Sequence, residues 1–189
     1  MAGVRQWEEG GDNVCYDVVG SARGSAKVVG RKKERMVHTL ACAIVPNVTL
    51  EQTRVGELSM WKGCAAANAA RNGTFAALLA HEGMTGPQDV IEGKWGLCNL
   101  LGCRFEWAPF GGRGGPYRIA QTHLKYYPGV VHAQSPISAA LELYPQVRVD
   151  DVDTIVIETY WVAKRYIKRD SPLWHPTTSE TADHSIPYL

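Results

Sequence analysis

Residues 57–73, ELSMWKGCAAANAARNG, set one lysine between a tryptophan and a glycine at the head of a run in which alanine recurs at 65, 66, 67, 69 and 70. Alanine has the highest helix propensity and loses no side-chain entropy on burial, so the run reads as helix. The pattern predicts a helix from about Ser59, a suitable N-cap, to Glu82, with Gly83 where a left-handed residue commonly ends a helix. Side chains this small let neighbouring backbones approach closely. The helix is therefore expected deep in a bundle, buried on several sides rather than along one stripe. Lys62 sits awkwardly there, because a cation at a helix N-terminus opposes the macrodipole. An anionic ligand would remove the conflict: the ammonium and the first-turn N–H groups would converge on one carboxylate, Arg54 in QTRVGE would supply a second, bidentate clamp, and Trp61 would shield the pair from water. The plainer alternative is a lysine that snorkels or pairs with Glu57.

Outward from this helix, apolar residues at 14, 18, 19, 22, 26 and 29 predict an earlier helix over 14–29, stopped by Gly30 and thinned by Gly20 and Gly24 for close approach to another helix. Met36, Val37, Leu40, Ala41 and Ile44 predict a second over 33–44, which Pro46 cannot continue. GMTGPQDVIEGKWGLCNLLG, 83–102, reads as a turn and two short helical pieces parted by Gly93. FGGRGGP, 110–116, has the glycines of a phosphate loop but lacks the preceding strand and following helix that such a loop requires, so it reads as a linker or hinge. Beyond it the period shortens. YRIAQTHLKYYP (117–128) and VDTIVIETYWV (152–162) are strand-like, and HAQSPISAALELYP (132–145) between them is an amphipathic helix with Pro136 in its first turn. The expected fold is mainly α with a small α/β part: a helical bundle over residues 1–115 and a partial α/β domain over 116–189. SETADHSIPYL, 179–189, resembles the opening of a further helix capped by Thr181 or Asp183, so the end of the chain reads as a truncation.

Composition excludes several function classes. Twenty Lys plus Arg against nineteen Asp plus Glu leave a net charge of +1 with the signs interspersed, so neither nucleic acid nor a membrane surface is an expected partner. MAGVRQWEEGGDN lacks the apolar core of a signal peptide, and no apolar run approaches the roughly 18 residues of a spanning helix; a cytoplasmic protein is expected. The five cysteines, at 15, 42, 64, 98 and 103, include no CxxC pair and are expected to be reduced. The six histidines form no HExxH, and Cys98 with Cys103 alone is a weak ligand pair, so no metal is expected.

Two polar clusters remain. HLKYYPGVVHAQ, 123–134, gathers His123, Lys125, Tyr126, Tyr127 and His132; on a strand over 119–127, His123 and Lys125 would share one face, with His132 opening the next helix. A lysine and a histidine converging near a third cation suit a polycarboxylate, from which they could remove a proton beside a carboxylate and stabilise the developing charge. In TADHSIPY a Ser-His-Asp triad is a poor reading, because residues adjacent in sequence do not give the triad its geometry. His184 and Tyr188, one helical turn apart, could face a common cleft.

QTRVGELSMWKGCAAANAARNGTFAALLAHEGMTGP, HLKYYPGVVHAQ and ETADHSIPYL together resemble the MmgE/PrpD family, in register from about Asp12 to Leu189. The resemblance implies a large all-helical domain with a smaller α/β lid, acting on di- or tricarboxylates without metal or organic cofactor. It implies a lyase that eliminates water from a tricarboxylate of the 2-methylcitrate kind, in propionate metabolism and as a dimer. Decarboxylase and epimerase chemistries of the same family are alternatives, and so is a catalytically silent remnant needing a partner chain. Carried over by position, Lys62, Lys125 and His132 would be catalytic, and His184 and Tyr188 would bind substrate, with Arg54, from the reading of QTRVGE above, as a further carboxylate clamp. A homo-oligomer, or a partner chain completing the fold, is implied. Relatives of this family are more than twice as long, and Asn13 stands where they commonly carry histidine.

Overall fold

The computed structural model describes residues 11–12, 14–30, 33–102, 111–112, 114–168 and 170–189. They divide into two units, one of Met1–Val55 with Met60–Trp107, the other of Gly56–Ser59 with Ala108–Leu189. The fold is mainly α, as the periodicities imply.

In the first unit, α1 (Val14–Val28), α2 (Lys33–Ile44) and α3 (Trp61–His81) pack together, and the short α4 (Leu97–Leu100) closes one end of the core. Val14, Val18 and Ala22 of α1 meet Ala65, Ala69 and Ala76 of α3 and Ala43 of α2; Cys15, Ile44, Leu97 and Leu101 form a second cluster. The closest approach is at Gly73, where a Cβ would lie 1.9 Å from Ser21 Oγ and 2.5 Å from the Val18 carbonyl oxygen. Ser21 Oγ donates to the Ala69 carbonyl at 3.3 Å, and Ser25 and Thr74 share a hydroxyl hydrogen bond of 3.0 Å. The paired numbers rise together, so α1 and α3 run parallel. On α2 they run opposite: Arg35 Nη1 donates to the Ala80 and His81 carbonyls, and Asn72 Nδ2 donates to Asn47 Oδ1 at 2.6 Å. Arg35 thus sets a cation against the C-terminus of α3, where carbonyls lack intrahelical partners.

The predicted helix ends hold well at their glycines. Gly30 adopts φ +72° after α1 and Gly83 φ +100° after α3. Gly83 N–H donates to the Ala80 carbonyl and Met84 N–H to the Leu79 carbonyl, a Schellman closure. Other details differ. Met60, already in helical conformation, precedes α3 with no side-chain cap, so Ser59 does not cap it. Gly20 and Gly24 point away from the bundle with nothing near their Cβ positions; the close approach is made by Ser21, Ala22 and Gly73 instead. Helix α3 is buried along one stripe, Ala65, Ala69, Gly73, Ala76, Ala77 and Ala80, while Phe75 and Leu78 are exposed. Burial on several sides fails because α1 and α2 both cover that same stripe.

In the second unit, α5 (Gln134–Leu143) carries Pro136 in its first turn, and Val130, Ala133, Ala163 and Ile186 form a small core beside Tyr166 and Ile167. A short α6 (Ser179–Ala182) starts at Thr178, whose Oγ1 accepts from Thr181 N–H; Thr178, rather than Thr181 or Asp183, is the cap. Thr181 is fully buried and its hydroxyl accepts from Leu58 N–H at 2.9 Å.

Neither strand-like stretch forms a ladder; the described residues contain only two isolated bridges, Gly11 with Leu50 and Gly112 with Gly115. Residues 118–121 make a 3₁₀ turn, and Ile155 and Val156 are more than three-quarters exposed. β-Branched composition describes a fit to a pleated, half-buried surface, and without a neighbouring strand there is no such surface to fit. Within the glycine cluster the described residues show the Gly112–Gly115 bridge; Phe110, Arg113, Asn13 and Cys103 lie outside the described residues.

Gly73→Ala is expected to destabilise the chain by about 1–3 kcal/mol, since the methyl must push α1 and α3 apart. Gly63→Ala, where nothing lies within 4 Å of the Cβ position, should instead gain about 0.5–1 kcal/mol of helix stability. Urea unfolding of both variants reads the two signs.

Candidate functional site

The residues with the most chemical potential fall into one group in each unit. In the first, Asp12 is buried to 1% exposure just ahead of α1. Its carboxylate accepts from Val14 N–H at 3.0 Å, capping the helix, and from Arg54 Nε at 2.8 Å and Nη2 at 3.2 Å. A buried carboxylate at a helix N-terminus with a bidentate guanidinium is doubly compensated. Asp17 stands nearby with its carboxyl pushed above the ordinary carboxylate range, mainly by burial and then by the charge of Asp12, with Arg54 acting against both. Arg54 therefore has an internal carboxylate as partner, which the sequence reading did not anticipate. Lys62 lies half-buried on the first turn of α3, as expected.

In the second unit, His132 occupies the 3₁₀ turn Val131–Ala133 that opens α5. Its Nδ1 is hydrogen-bonded to the Tyr160 hydroxyl, and its ring lies 4.9 Å from that of Tyr166. The Tyr166 ring also lies 6.3 Å, between ring centroids, from His184, whose Nδ1 is on the Asp183 carboxylate. Two imidazoles thus share one tyrosine ring, each with Nδ1 held by an oxygen. When Nδ1 carries the proton, Nε2 presents a lone pair able to take another. Burial pushes the His132 imidazole below its ordinary value of 6.5, so at neutral pH it is a neutral base.

Lys125 is exposed, and the strand expected to carry it is a curled loop. The reason is visible in the backbone: Tyr126 N–H and Tyr127 N–H both donate to Gln134 Oε1, at 3.0 and 2.9 Å. Successive amides of a strand point to opposite sides and could not share one acceptor. The alternation that would put His123 and Lys125 on one face therefore does not apply. Tyr188 is largely exposed at the C-terminal end, its N–H donating to Ser185 Oγ. Ser185 Oγ donates to the Leu173 carbonyl, away from His184, so no Ser-His-Asp triad forms. Among the described residues no three His, Cys, Asp or Glu side chains gather as metal ligands, and no helix is long and apolar enough to cross a membrane.

Residues 2–109 match the MmgE/PrpD N-terminal domain, and residues 127–189 match the MmgE/PrpD C-terminal domain. The chain belongs to the MmgE/PrpD family. Among curated relatives of this MmgE/PrpD chain, 2-methylcitrate dehydratase of Cupriavidus necator is 28% identical over 94% of the chain. The proteins of that name from Salmonella typhimurium and Escherichia coli K12 are each 26% identical over the same share. The chain spans 38% of the length of each of these relatives.

Sequence reasoning missed Asp12, Tyr160, Tyr166 and Gln134 as contributors. Tyr160 and Tyr166 were hidden in or beside an apparent strand, and Gln134 in a helix start; only HAQ, which puts Gln134 two residues after His132, hinted at a coupling.

Arg54→Gln should cost about 2 kcal/mol by leaving the Asp12 charge undercompensated, and should raise the Asp17 carboxyl further, both readable by urea unfolding and carboxyl NMR titration. For His132 the sign follows from its depressed folded value: the unfolded state binds more protons, so stability present above pH 6.5 is lost as pH falls through the folded value. His132→Asn should therefore lose less stability than the wild type between about pH 7.5 and 5, measured by urea midpoints.

Proposed function

We propose that this chain carries part of the site of a 2-methylcitrate-dehydratase-like lyase acting on a small di- or tricarboxylate. The observation that carries the reading is the setting of His132, whose Nδ1 is hydrogen-bonded to the Tyr160 hydroxyl and whose imidazole is pushed below its ordinary value by burial. Family membership and the names of the relatives support it. In the reaction, a base removes the proton on the carbon next to a carboxylate, that electron pair forms the C=C bond, the C–O bond opposite breaks, and the departing hydroxide takes a proton to leave as water. His132 is the proposed base. Lys125 and Lys62 would stabilise the negative charge that spreads onto the carboxylate as the proton leaves. His184 and Tyr188 would bind substrate, and the Arg54 guanidinium, whose Nε and Nη2 donate to Asp12, would also bind a substrate carboxylate. No metal or organic cofactor is assigned a step.

A second reading rests on the exposed face of α3, where Trp61, Phe75 and Leu78 are all about half exposed or more. A polypeptide partner, either another copy or a different chain, would cover it, and the chain alone would then be catalytically silent.

The purified chain incubated with 2-methylcitrate, citrate or cis-aconitate is expected to give product, identified by mass spectrometry as dehydrated, decarboxylated or epimerised. Lys125→Ala and His132→Asn should each lower kcat by about 10²–10⁴-fold. Loss of activity on acidification should follow a group titrating below 6.5. Equal turnover by wild type and both variants would defeat the assignment, whereas no turnover together with concentration-dependent association in light scattering would favour the second reading.

A further inference from the structure

From the geometry of the Lys125 loop we infer that Gln134 is the positioning residue of the second unit, locking the spacing between Lys125 and His132 through its side-chain amide. All four hydrogen-bonding capacities of that amide are used. Oε1 accepts from Tyr126 N–H at 3.0 Å and from Tyr127 N–H at 2.9 Å, while Nε2 donates to the Tyr127 carbonyl at 3.1 Å and the Val130 carbonyl at 3.4 Å. Gln134 is the first residue of α5, two positions after His132, and Tyr126 directly follows Lys125. One side chain thus ties the backbone that bears the lysine to the backbone that bears the imidazole.

The connection continues. Val130, held by Nε2 of Gln134, donates its own N–H to the Asp183 carbonyl at 2.7 Å, and Asp183 holds Nδ1 of His184. The positions of Lys125, His132 and His184 are consequently linked through a single amide. Simple loop closure does not require it, because Gly129 N–H already donates to the Tyr127 carbonyl at 2.8 Å and Pro128 fixes one dihedral of the turn. What Gln134 adds is the registry of residues upstream of the turn against the start of α5. No other side chain reproduces the set: Glu has no donor when ionised, Asn is one methylene short, and Lys has no acceptor.

The catalytic relevance of this role rests on the proposed function; the positioning itself does not. Gln134→Glu, which keeps the acceptor and loses the donors, and Gln134→Met, which keeps the approximate shape and loses both, separate the two. In the full chain, amide exchange at Tyr126 and Tyr127 should accelerate about tenfold or more in Gln134→Met and less in Gln134→Glu. The His132 ring resonances and their titration midpoint should move in both variants, a change that a general loss of stability would not produce. Unchanged exchange at Tyr126 and Tyr127 would overturn the inference, and so would faster exchange with an unaltered His132 titration, which would reduce Gln134 to a loop brace. If the Gln134 variants behave as expected while Lys125→Ala leaves turnover intact, the positioning stands and the lyase assignment fails.

Discussion

The first unit depends on the absence of one side chain. At Gly73 the backbones of α1 and α3 come so near that a methyl group would overlap Ser21 Oγ, at 1.9 Å, and crowd the Val18 carbonyl. That contact lets Ala65, Ala69 and Ala76 lie against Val14, Val18 and Ala22, and it brings Ser21 Oγ within reach of the Ala69 carbonyl. A core built from alanine gains little from each buried side chain, so it relies on shape complementarity and on many short-range dispersion contacts. The same helix leaves its far side apolar and open at Phe75 and Leu78, so its composition alone did not reveal which face would be buried.

The second unit uses polar fixation where the first uses packing. Its hydrophobic core is small, and the geometry of its polar side chains comes from hydrogen bonds that fix individual groups: Thr178 and Thr181 around Leu58, Gln134 around the 126–130 loop, Tyr160 and Asp183 on the two imidazoles. The consequence for chemistry is direct. A histidine whose Nδ1 is fixed has a defined Nε2, and one that is also partly desolvated stays neutral near pH 7, the two conditions a proton-abstracting base must meet. Asp12 in the first unit shows a different arrangement, a buried carboxylate that accepts from the Val14 N–H and from two donors of the Arg54 guanidinium.

Much of the helical architecture was legible. The extents of α1, α2 and α3 follow from apolar spacing, alanine content and the glycines at 30 and 83, because helix formation and termination are local events governed by neighbours a few residues away. The strands were misjudged for the converse reason: VDTIVIETYWV has strand composition, yet a strand exists only by pairing, and pairing is a property of distant sequence. Among the candidate site residues, His132 and His184 were recognisable individually, while Tyr166, whose ring lies near both, carried no signal of its own. Lys125 was found by its neighbours in sequence, but the fold of its loop depends on Gln134, which composition gives no reason to single out.

The sequence by itself therefore determined which segments are helical, where they stop, and membership of the MmgE/PrpD family, since these rest on local propensity and on an ordered pattern of residue types. Only the tertiary structure decided which stripe of α3 is buried, that Arg54 answers to Asp12, that Lys125 rides on a curled loop, and that two imidazoles lie near one tyrosine ring. Each of those outcomes joins residues far apart in the chain or selects one hydrogen-bond partner among several. A linear pattern of side chains cannot specify such choices until the backbone has brought the candidates within about 3 Å of one another.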